Sequence, residues 1–547
     1  MFEFWSRRVW VRSPLASGMR TGTRTVLAFA LLVATTGALA QTLHWAAQGD
    51  PQTMDPHSHN ELLTNSMNGQ VYETLVKRDK DLGLAPALAV SWQQTGPTVW
   101  RMVIREGVKF HDGTDFNADD VIFSVARAKT ASSGIRSSAM GLGEPRKVDA
   151  QTIEFQLARV NPIFLQHASL VPIMSKVWCE KHDARDPQDF KNKEARHTAL
   201  HANGTGPFAL VSRQPDVQTV YKRNNNWWGH FDGNVQEVIY TPIKSDPTRS
   251  AALLSGHLDF VLDPPVQDID RLRSTPGIKV KDGVENRIIF VGMDQQRDEL
   301  LYSGVKGRNP FKDLRVRRAL YHAVDIEGLR SRLMRGQSLP TGSITPSPLG
   351  SFNGPEIEAR LPFDPPRARA LMAEAGYPDG FDVTMDCPNN RYINDERICV
   401  ALAGMWAQVG VRVTVKAQPR TLYFAKLEKQ DVSMYLLGWG SAITDAEATF
   451  TPVLRSRGEG GVGYYNFGGY SNNRLDELAV ASANEADPAK RELLIKSALL
   501  EHNAQVHHIP LHRQVIPWAM RSNVDVVHRA DNWLEWPWIT IKPPGGS

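Results

Sequence analysis

The chain has 547 residues, of which 41% are hydrophobic and 22% charged, with 63 basic against 59 acidic side chains and a formal net charge of +4. A chain of this length and ordinary globular composition supports two or more lobes with cores of their own. Its small basic excess sits at the N-terminus, so no basic patch points to a nucleic-acid partner.

Residues 1–40 hold Arg7, Arg8, Arg12, Arg20 and Arg24 against the single acid Glu3. An apolar run follows at 26–33 (VLAFALLV), and Ala38-Leu39-Ala40 gives a small-x-small step before Gln41. This pattern predicts a secretory signal peptide cleaved before Gln41, with Met19 an alternative start. The run is shorter than the roughly 20 apolar residues that a membrane span needs. Losing 1–40 removes five basic residues and one acid and leaves a balanced mature chain. No cysteine follows the apolar run, so the expected exported form carries no lipid there. The three cysteines are Cys179, Cys387 and Cys399. Cys387 and Cys399 are close enough in sequence to pair, but nothing in the sequence requires it.

Beyond Gln41 the pattern predicts a strand at 42–47, a turn at Asp55-Pro56, and a helix through Leu62, Met67 and Val71 to Leu75. Residues 100–105 read as a strand and His111-Asp112-Gly113-Thr114 as a turn. A helix then opens at Asn117, an N-cap with Asp119 and Asp120 in the favoured first turn. Strands are expected at 288–292 and 509–516, and a helix stops at Gly376 in the left-handed conformation. Residues 435–441 (YLLGWGS) read as a buried strand ending in a small-residue turn.

Several segments carry a shared resemblance. They are 103–121 (VIREGVKFHDGTDFNADDV), 86–92 (PALAVSW), 203–208 (NGTGPF), 221–228 (YKRNNNWW), 255–260 (SGHLDF), 309–320 (NPFKDLRVRRAL) and 468–472 (GGYSN) with Asp476. In this order they resemble the family 5 extracellular solute-binding proteins, the dipeptide and oligopeptide receptors of ABC importers, over essentially the whole mature chain. The resemblance implies an α/β, two-lobed clamshell with mixed sheets. Lobe I would be discontinuous, 42–292 plus 510–547, with an extra subdomain at about 86–205, and lobe II would span 293–509. It implies a monomeric, unlipidated periplasmic receptor that is not an enzyme and needs no cofactor. Such a receptor captures a small-molecule or peptide ligand between the lobes and passes it to permease subunits in the inner membrane.

The same resemblance singles out the ligand contacts. Trp439, Gly440 and Ser441 occupy the place where peptide-binding relatives carry an aromatic, a glycine and then an aspartate for the peptide α-ammonium. That aspartate falls on Ala442 here, and the nearest acid is Asp445. Either Asp445 reaches back, or the ligand has no free α-amine, since a buried ammonium without a carboxylate costs several kcal/mol. Trp439 offers a flat wall, and its flanking glycines leave room for a ligand to approach the backbone. Tyr465 is a second candidate wall. Asn60 and Glu61 follow the Asp55-Pro56 turn as candidate lobe I contacts, and the alternative for them is an exposed helix start. Arg391, in Asn389-Asn390-Arg391-Tyr392, has the fork that matches a carboxylate.

Other patterns are set aside. Residues 458–463 (GEGGVG) fit G-x-G-x-x-G without the strand and helix that a dinucleotide site needs. Ser303 and Lys306 fit S-x-x-K without partner motifs. His502, His507, His508 and His512 cluster near a hinge strand, where neighbours point to opposite faces, so packing rather than metal binding is expected. A secreted hydrolase needs a nucleophile–base pair that no motif supplies. A periplasmic chaperone or sensor of the same fold is the remaining alternative.

Overall fold

The computed structural model describes residues 41–189, 196–347, 350, 352–389 and 391–543. The predicted export segment 1–40 and Asn390 lie outside the described residues. Among the described residues, no helix is long and apolar enough to cross a membrane.

Two long antiparallel strands, Ile278–Met293 and His508–Arg521, run through the middle of an eleven-stranded sheet. The strands expected at 288–292 and 509–516 lie within them. One flank holds Phe260–Leu262, Thr42–Ala46, Glu237–Tyr240, Gln218–Arg223 and Phe208–Gln214. The other flank holds Met434–Gly440, Phe381–Pro388 and Val411–Gln418, and the short Ser338–Pro340 pairs with His508–Arg521 as the eleventh strand. Thr42–Ala46 and Phe381–Pro388 each pair in parallel with both neighbours, whereas the central pair is antiparallel, so the sheet is mixed. Met434, Tyr435, Leu436 and Leu437 are buried in succession, as expected of a strand covered on both faces.

The cores divide on the long strands. On one flank Leu43, Trp45, Tyr221 and Phe260 pack with Trp518 and Trp536. On the other, Val291, Met385, Trp406 and Leu436 pack with Ile509 and Leu511, while Phe290, Tyr435 and Phe450 form a companion cluster. A separate antiparallel sheet of Ala89–Gly96, Val99–Ile104, Thr152–Gln156 and Glu144–Lys147 packs Met102 and Phe155 against Val121 and Val125 of the helix Ala118–Ala128. Asn117 caps that helix in a reciprocal capping box with Asp120.

The helix expected from Leu62 to Leu75 runs only over Leu62–Asn68. Its continuation is drawn into a tertiary contact: the carbonyls of Gln70 and Val71 accept the N–H groups of Phe208 (3.0 Å) and Gly206 (2.8 Å). The turn 203–208 also receives His111, whose N–H donates to the Gly204 carbonyl at 2.9 Å, while Asn203 Oδ1 accepts the Asp112 N–H at 3.0 Å. Two of the segments that carry the family resemblance therefore hold each other in place.

Pairing between the long strands is irregular at two places, between Val284 and Ile288 and between Ile289 and Phe290, and the first is the wider. Val284 faces Val515 and Ile288 faces Arg513, which leaves Glu285, Asn286 and Arg287 opposite Gln514. Such a bulge bends a strand and re-aims its side chains.

Candidate functional site

A cavity of about 2820 Å³ lies along this bulge, bordered by residues of both flanks. Its wall includes Asn60, Glu61, Glu285, Asn286, Arg287, Arg391, Trp439, Tyr465 and Gln514. Pockets for single small molecules usually measure ~300–1,000 Å³, so this one has room for a larger ligand with ordered water around it.

The Met434–Gly440 strand delivers Trp439 to the wall. The indole Nε1–H donates to the Ala448 carbonyl at 3.1 Å, which fixes the ring plane. Tyr465 lies 4.9 Å away, centroid to centroid, at 52°. Together they make the aromatic face expected from sequence. The space over the neighbouring glycines is used by the protein itself. A Cβ on Gly438 would meet the Tyr392 ring at 2.5 Å, and one on Gly440 would meet the Arg287 guanidinium at 3.0 Å. These glycines admit Tyr392 and Arg287 to the strand, where the sequence suggested an approaching ligand. Ser441 is engaged locally: its N–H donates to the Asn286 carbonyl at 3.3 Å, and its Oγ accepts the Ile443 N–H at 3.0 Å.

Asp445 stands apart from the role considered for it. Its carboxylate forms a two-pronged ion pair with Arg491, at 2.6 and 2.7 Å, and also accepts the Glu447 N–H at 2.9 Å. It is not among the residues bordering the cavity, whereas Ala442, Glu447 and Arg491 are. Glu447 Oε1 accepts the Thr451 hydroxyl at 2.6 Å, while its buried Oε2 has no hydrogen-bond partner among the described residues. Burial raises its pKa.

Glu61 is the N-cap of Leu62–Asn68, accepting the N–H groups of Leu63 (3.2 Å) and Thr64 (3.0 Å). Asn60 Oδ1 accepts from Asn65 Nδ2 at 2.8 Å. Both therefore edge the cavity from a helix start. Their loop is anchored by Asp55, fully buried, whose carboxylate takes Arg127 in two bonds of 2.8 and 2.6 Å, the His57 N–H and the Thr198 hydroxyl. Burial alone would raise the Asp55 pKa, but Arg127 outweighs it and holds the carboxyl far below its usual range.

Arg391 sits in the loop between Phe381–Pro388 and Asp395–Ala407, and a disulfide between Cys387 and Cys399 closes that loop. Its N–H donates to Asp395 Oδ2 at 2.9 Å, and its guanidinium lies 5.2 Å from the Tyr392 ring centroid. Among the described residues no carboxylate pairs with that guanidinium. Desolvation and the neighbouring Arg287 cation lower its pKa.

Sequence reasoning passed over Glu285, Asn286, Arg287 and Gln514. Arg287 Nε donates to both oxygens of Glu285 at 3.1 Å, and Gln514 Nε2 donates to Glu285 Oε2 at 2.8 Å. Three polar residues in a row inside a strand were the available signal.

The histidines pack. His502 Nε2 and His508 Nδ1 share a hydrogen bond of 3.0 Å, and His507 stacks on Tyr470 at 3.9 Å. Among the described residues no group of three or more His, Cys, Asp or Glu side chains is disposed to hold a metal. Glu459–Gly461 is a 3-10 turn rather than a phosphate loop between strand and helix. Ser303 Oγ donates to the Asp382 carbonyl at 2.9 Å, and Lys306 reaches Glu299 at 3.6 Å.

Residues 83–461 match the family described as bacterial extracellular solute-binding proteins, family 5 Middle. The chain belongs to this family. It is similar to heme-binding protein A of Haemophilus influenzae, with 25% identity over 477 residues, covering 82% of this chain and 83% of that one. It is also similar to the glutathione-binding protein GsiB of Escherichia coli, with 25% identity over 460 residues and coverage of 82% and 84%. Its fold matches the dipeptide-binding protein of Pseudoalteromonas sp. SM9913 solved with Met-Leu, at a TM-score of 0.75 and 21% identity over 92% of this chain and 100% of that one. The family 5 protein is thus a two-lobed clamshell and a substrate-binding protein of the ABC-transporter type. Its family is one of transporter receptors, not enzymes, with periplasmic or extracellular members.

Proposed function

We propose that this protein captures a short peptide-like or other small polar ligand in the cleft at the hinge bulge and delivers it to inner-membrane permease subunits. In this reading 1–40 directs export and is removed, and the mature chain works in the periplasm as an unlipidated monomer. The unit 42–292 plus 510–547 closes on 293–509 around the ligand. Closure is a population shift: contacts to both lobes favour the closed form by the ligand's differential affinity for it. The observation that carries this reading is the cavity itself, with an aromatic wall at Trp439 and Tyr465 and the Arg391 cation, which no carboxylate among the described residues pairs.

The pairing of Asp445 with Arg491 favours a ligand whose recognition does not depend on a free α-amine. Mature protein, unfolded and refolded to strip bound material, is screened by thermal shift against short peptides, their N-acetylated forms, glutathione, opines, sugars and nickel–histidine. A ligand at a hundred times its Kd adds about 2.7 kcal/mol to stability, a readable shift. Stabilisation by at least one compound supports the reading. A flat response to all of them, from protein that refolds to a single cooperative transition, removes it.

A further inference from the structure

The hinge bulge holds one amide that the protein leaves unsatisfied. Asn286 is 3% exposed, yet neither its Oδ1 nor its Nδ2 has a hydrogen-bond partner among the described residues. Its backbone is fully engaged: the N–H donates to the Ala530 carbonyl at 2.7 Å, and the carbonyl accepts the Ser441 N–H at 3.3 Å. Those two bonds suspend the residue between the segment after one hinge strand and the turn that ends the Trp439 strand. On either side Glu285 and Arg287 satisfy each other, and Gln514 turns to Glu285. The flanking charges are thus spoken for, and Asn286 is one of the residues lining the cavity, its buried carboxamide without a partner among the described residues.

Leaving a buried amide unpaired works against folding, and native proteins rarely do so without a use for it. The chemistry of the two orphan atoms narrows that use. A carboxamide presents an acceptor and a donor side by side. An anion would take Nδ2 and leave Oδ1 bare, and a cation would do the reverse. In an extended chain, the N–H and C=O of a single residue project from the same edge, which is how opposed residues in an antiparallel ladder exchange both bonds. One such residue satisfies both atoms of Asn286 at once.

We propose that Asn286 clamps the N–H and C=O of one residue in an extended, peptide-like ligand. The inference rests on reading the cleft as the solute site and adds the class of group read at its floor. Because the clamp stands on the bulge between the two flanks, the bound backbone lies against the hinge itself, beside the Trp439 turn.

The test is isothermal titration of stripped mature protein with trialanine and N-acetyl-trialanine, in wild type, Asn286→Ala and Asn286→Asp. Asn286→Asp keeps the shape and the acceptor and loses the donor. Unliganded melting curves of all three establish that each is folded. Wild type is expected to bind at least one tripeptide, Asn286→Ala to bind it at least tenfold more weakly, and Asn286→Asp to fall at least fivefold. Folded variants that bind within twofold of wild type overturn the clamp. So does a wild type that ignores both tripeptides while taking up a compound without a backbone amide, an outcome that leaves the solute-binding reading standing. Binding of nothing in the wider screen removes both.

Discussion

Asp445 and Arg491 meet through both carboxylate oxygens and both terminal guanidinium nitrogens, at 2.6 and 2.7 Å, with each side chain only about an eighth exposed. The geometry is the planar fork that Arg makes best. An acid so engaged has no free oxygen facing the cleft for a ligand ammonium. Asp445→Asn is therefore expected to lower stability, by about 1–3 kcal/mol once the partial exposure of the pair is discounted from the cost of breaking a buried one. It should leave affinity for any bound tripeptide within about threefold. Urea unfolding and titration calorimetry on one preparation read the two effects. A hundredfold loss of affinity for a free-amine peptide alone, with its N-acetyl form unaffected, would return the ammonium role to Asp445.

Acid should weaken this fold before it weakens most others. Burial, assisted in some cases by nearby cations, pulls His57, His167 and His502 down to about 4, His512 to about 3 and His507 to about 2. The unfolded chain takes up these protons near pH 6.5. The stability these neutral histidines represent is thus complete above that value and drains as pH falls toward the folded pKa values. By pH 5 the loss is roughly 2 kcal/mol for each. Buried carboxyls work in the opposite sense: Asp120, Asp386, Asp395, Glu447 and Glu535 are raised, and two others are raised further. Burial pushes Glu73 up to about 7 and Asp263 up to about 6, so each costs the fold at neutral pH and ceases to do so on acidification. The lowered histidines, which also include His59, His111, His197, His508 and His528, outweigh the raised carboxyls. The melting temperature is expected to fall steadily from pH 7.5 to pH 5, and a flat or rising profile would show that these imidazoles are reached by water.

The two long central strands show what the sequence displayed and what it hid. Their segments 288–292 and 509–516 were legible as strands, the first most plainly because Ile, Ile, Phe and Val in succession suit a covered strand. The extension back to Ile278 was not, because Lys279, Lys281, Asp282, Glu285 and Arg287 look like a solvated loop until a partner strand supplies the pairing. Asn286 vanished in that run for the same reason: its importance lies in a pairing register, and register is a property of two strands. Trp439 and Arg391 were visible through family resemblance, and both border the cavity. The pairing of Asp445 with Arg491 was not visible, since the two lie 46 positions apart and no local pattern links them. The shortened helix at Leu62–Asn68 has a similar origin, in carbonyls claimed by a turn more than a hundred residues away.

The Cys387–Cys399 bond closes the loop that carries Arg391 across a separation of 12 residues. A closure of that length restricts the unfolded chain by about 3 kcal/mol in the chain-entropy account. Both sulfurs are buried, so reduction is expected to need partial unfolding and to proceed slowly in dithiothreitol under native conditions. A Cys387→Ala, Cys399→Ala double variant avoids that barrier. It should melt several degrees lower and bind carboxylate-bearing probes more weakly than wild type, since the Arg391 loop loses its tie. Unchanged melting would mean that Asp395, which takes the N–H groups of Arg391 and Tyr392, holds the loop alone.

Arg391 itself admits a sharper comparison. Its guanidinium lies at the cleft with no carboxylate partner among the described residues, while its backbone N–H is held by the Asp395 carboxylate. A ligand carboxylate would complete it by a charge-assisted pair, worth about 1.5–3 kcal/mol. Arg391→Gln is then expected to weaken trialanine by roughly ten- to a hundredfold, on the same scale, yet to leave trialanine amide nearly unchanged, because that ligand has no charge for the fork to grip. Equal losses with both ligands would instead mark Arg391 as a wall of the cavity, acting through its contact with Tyr392 rather than through its charge.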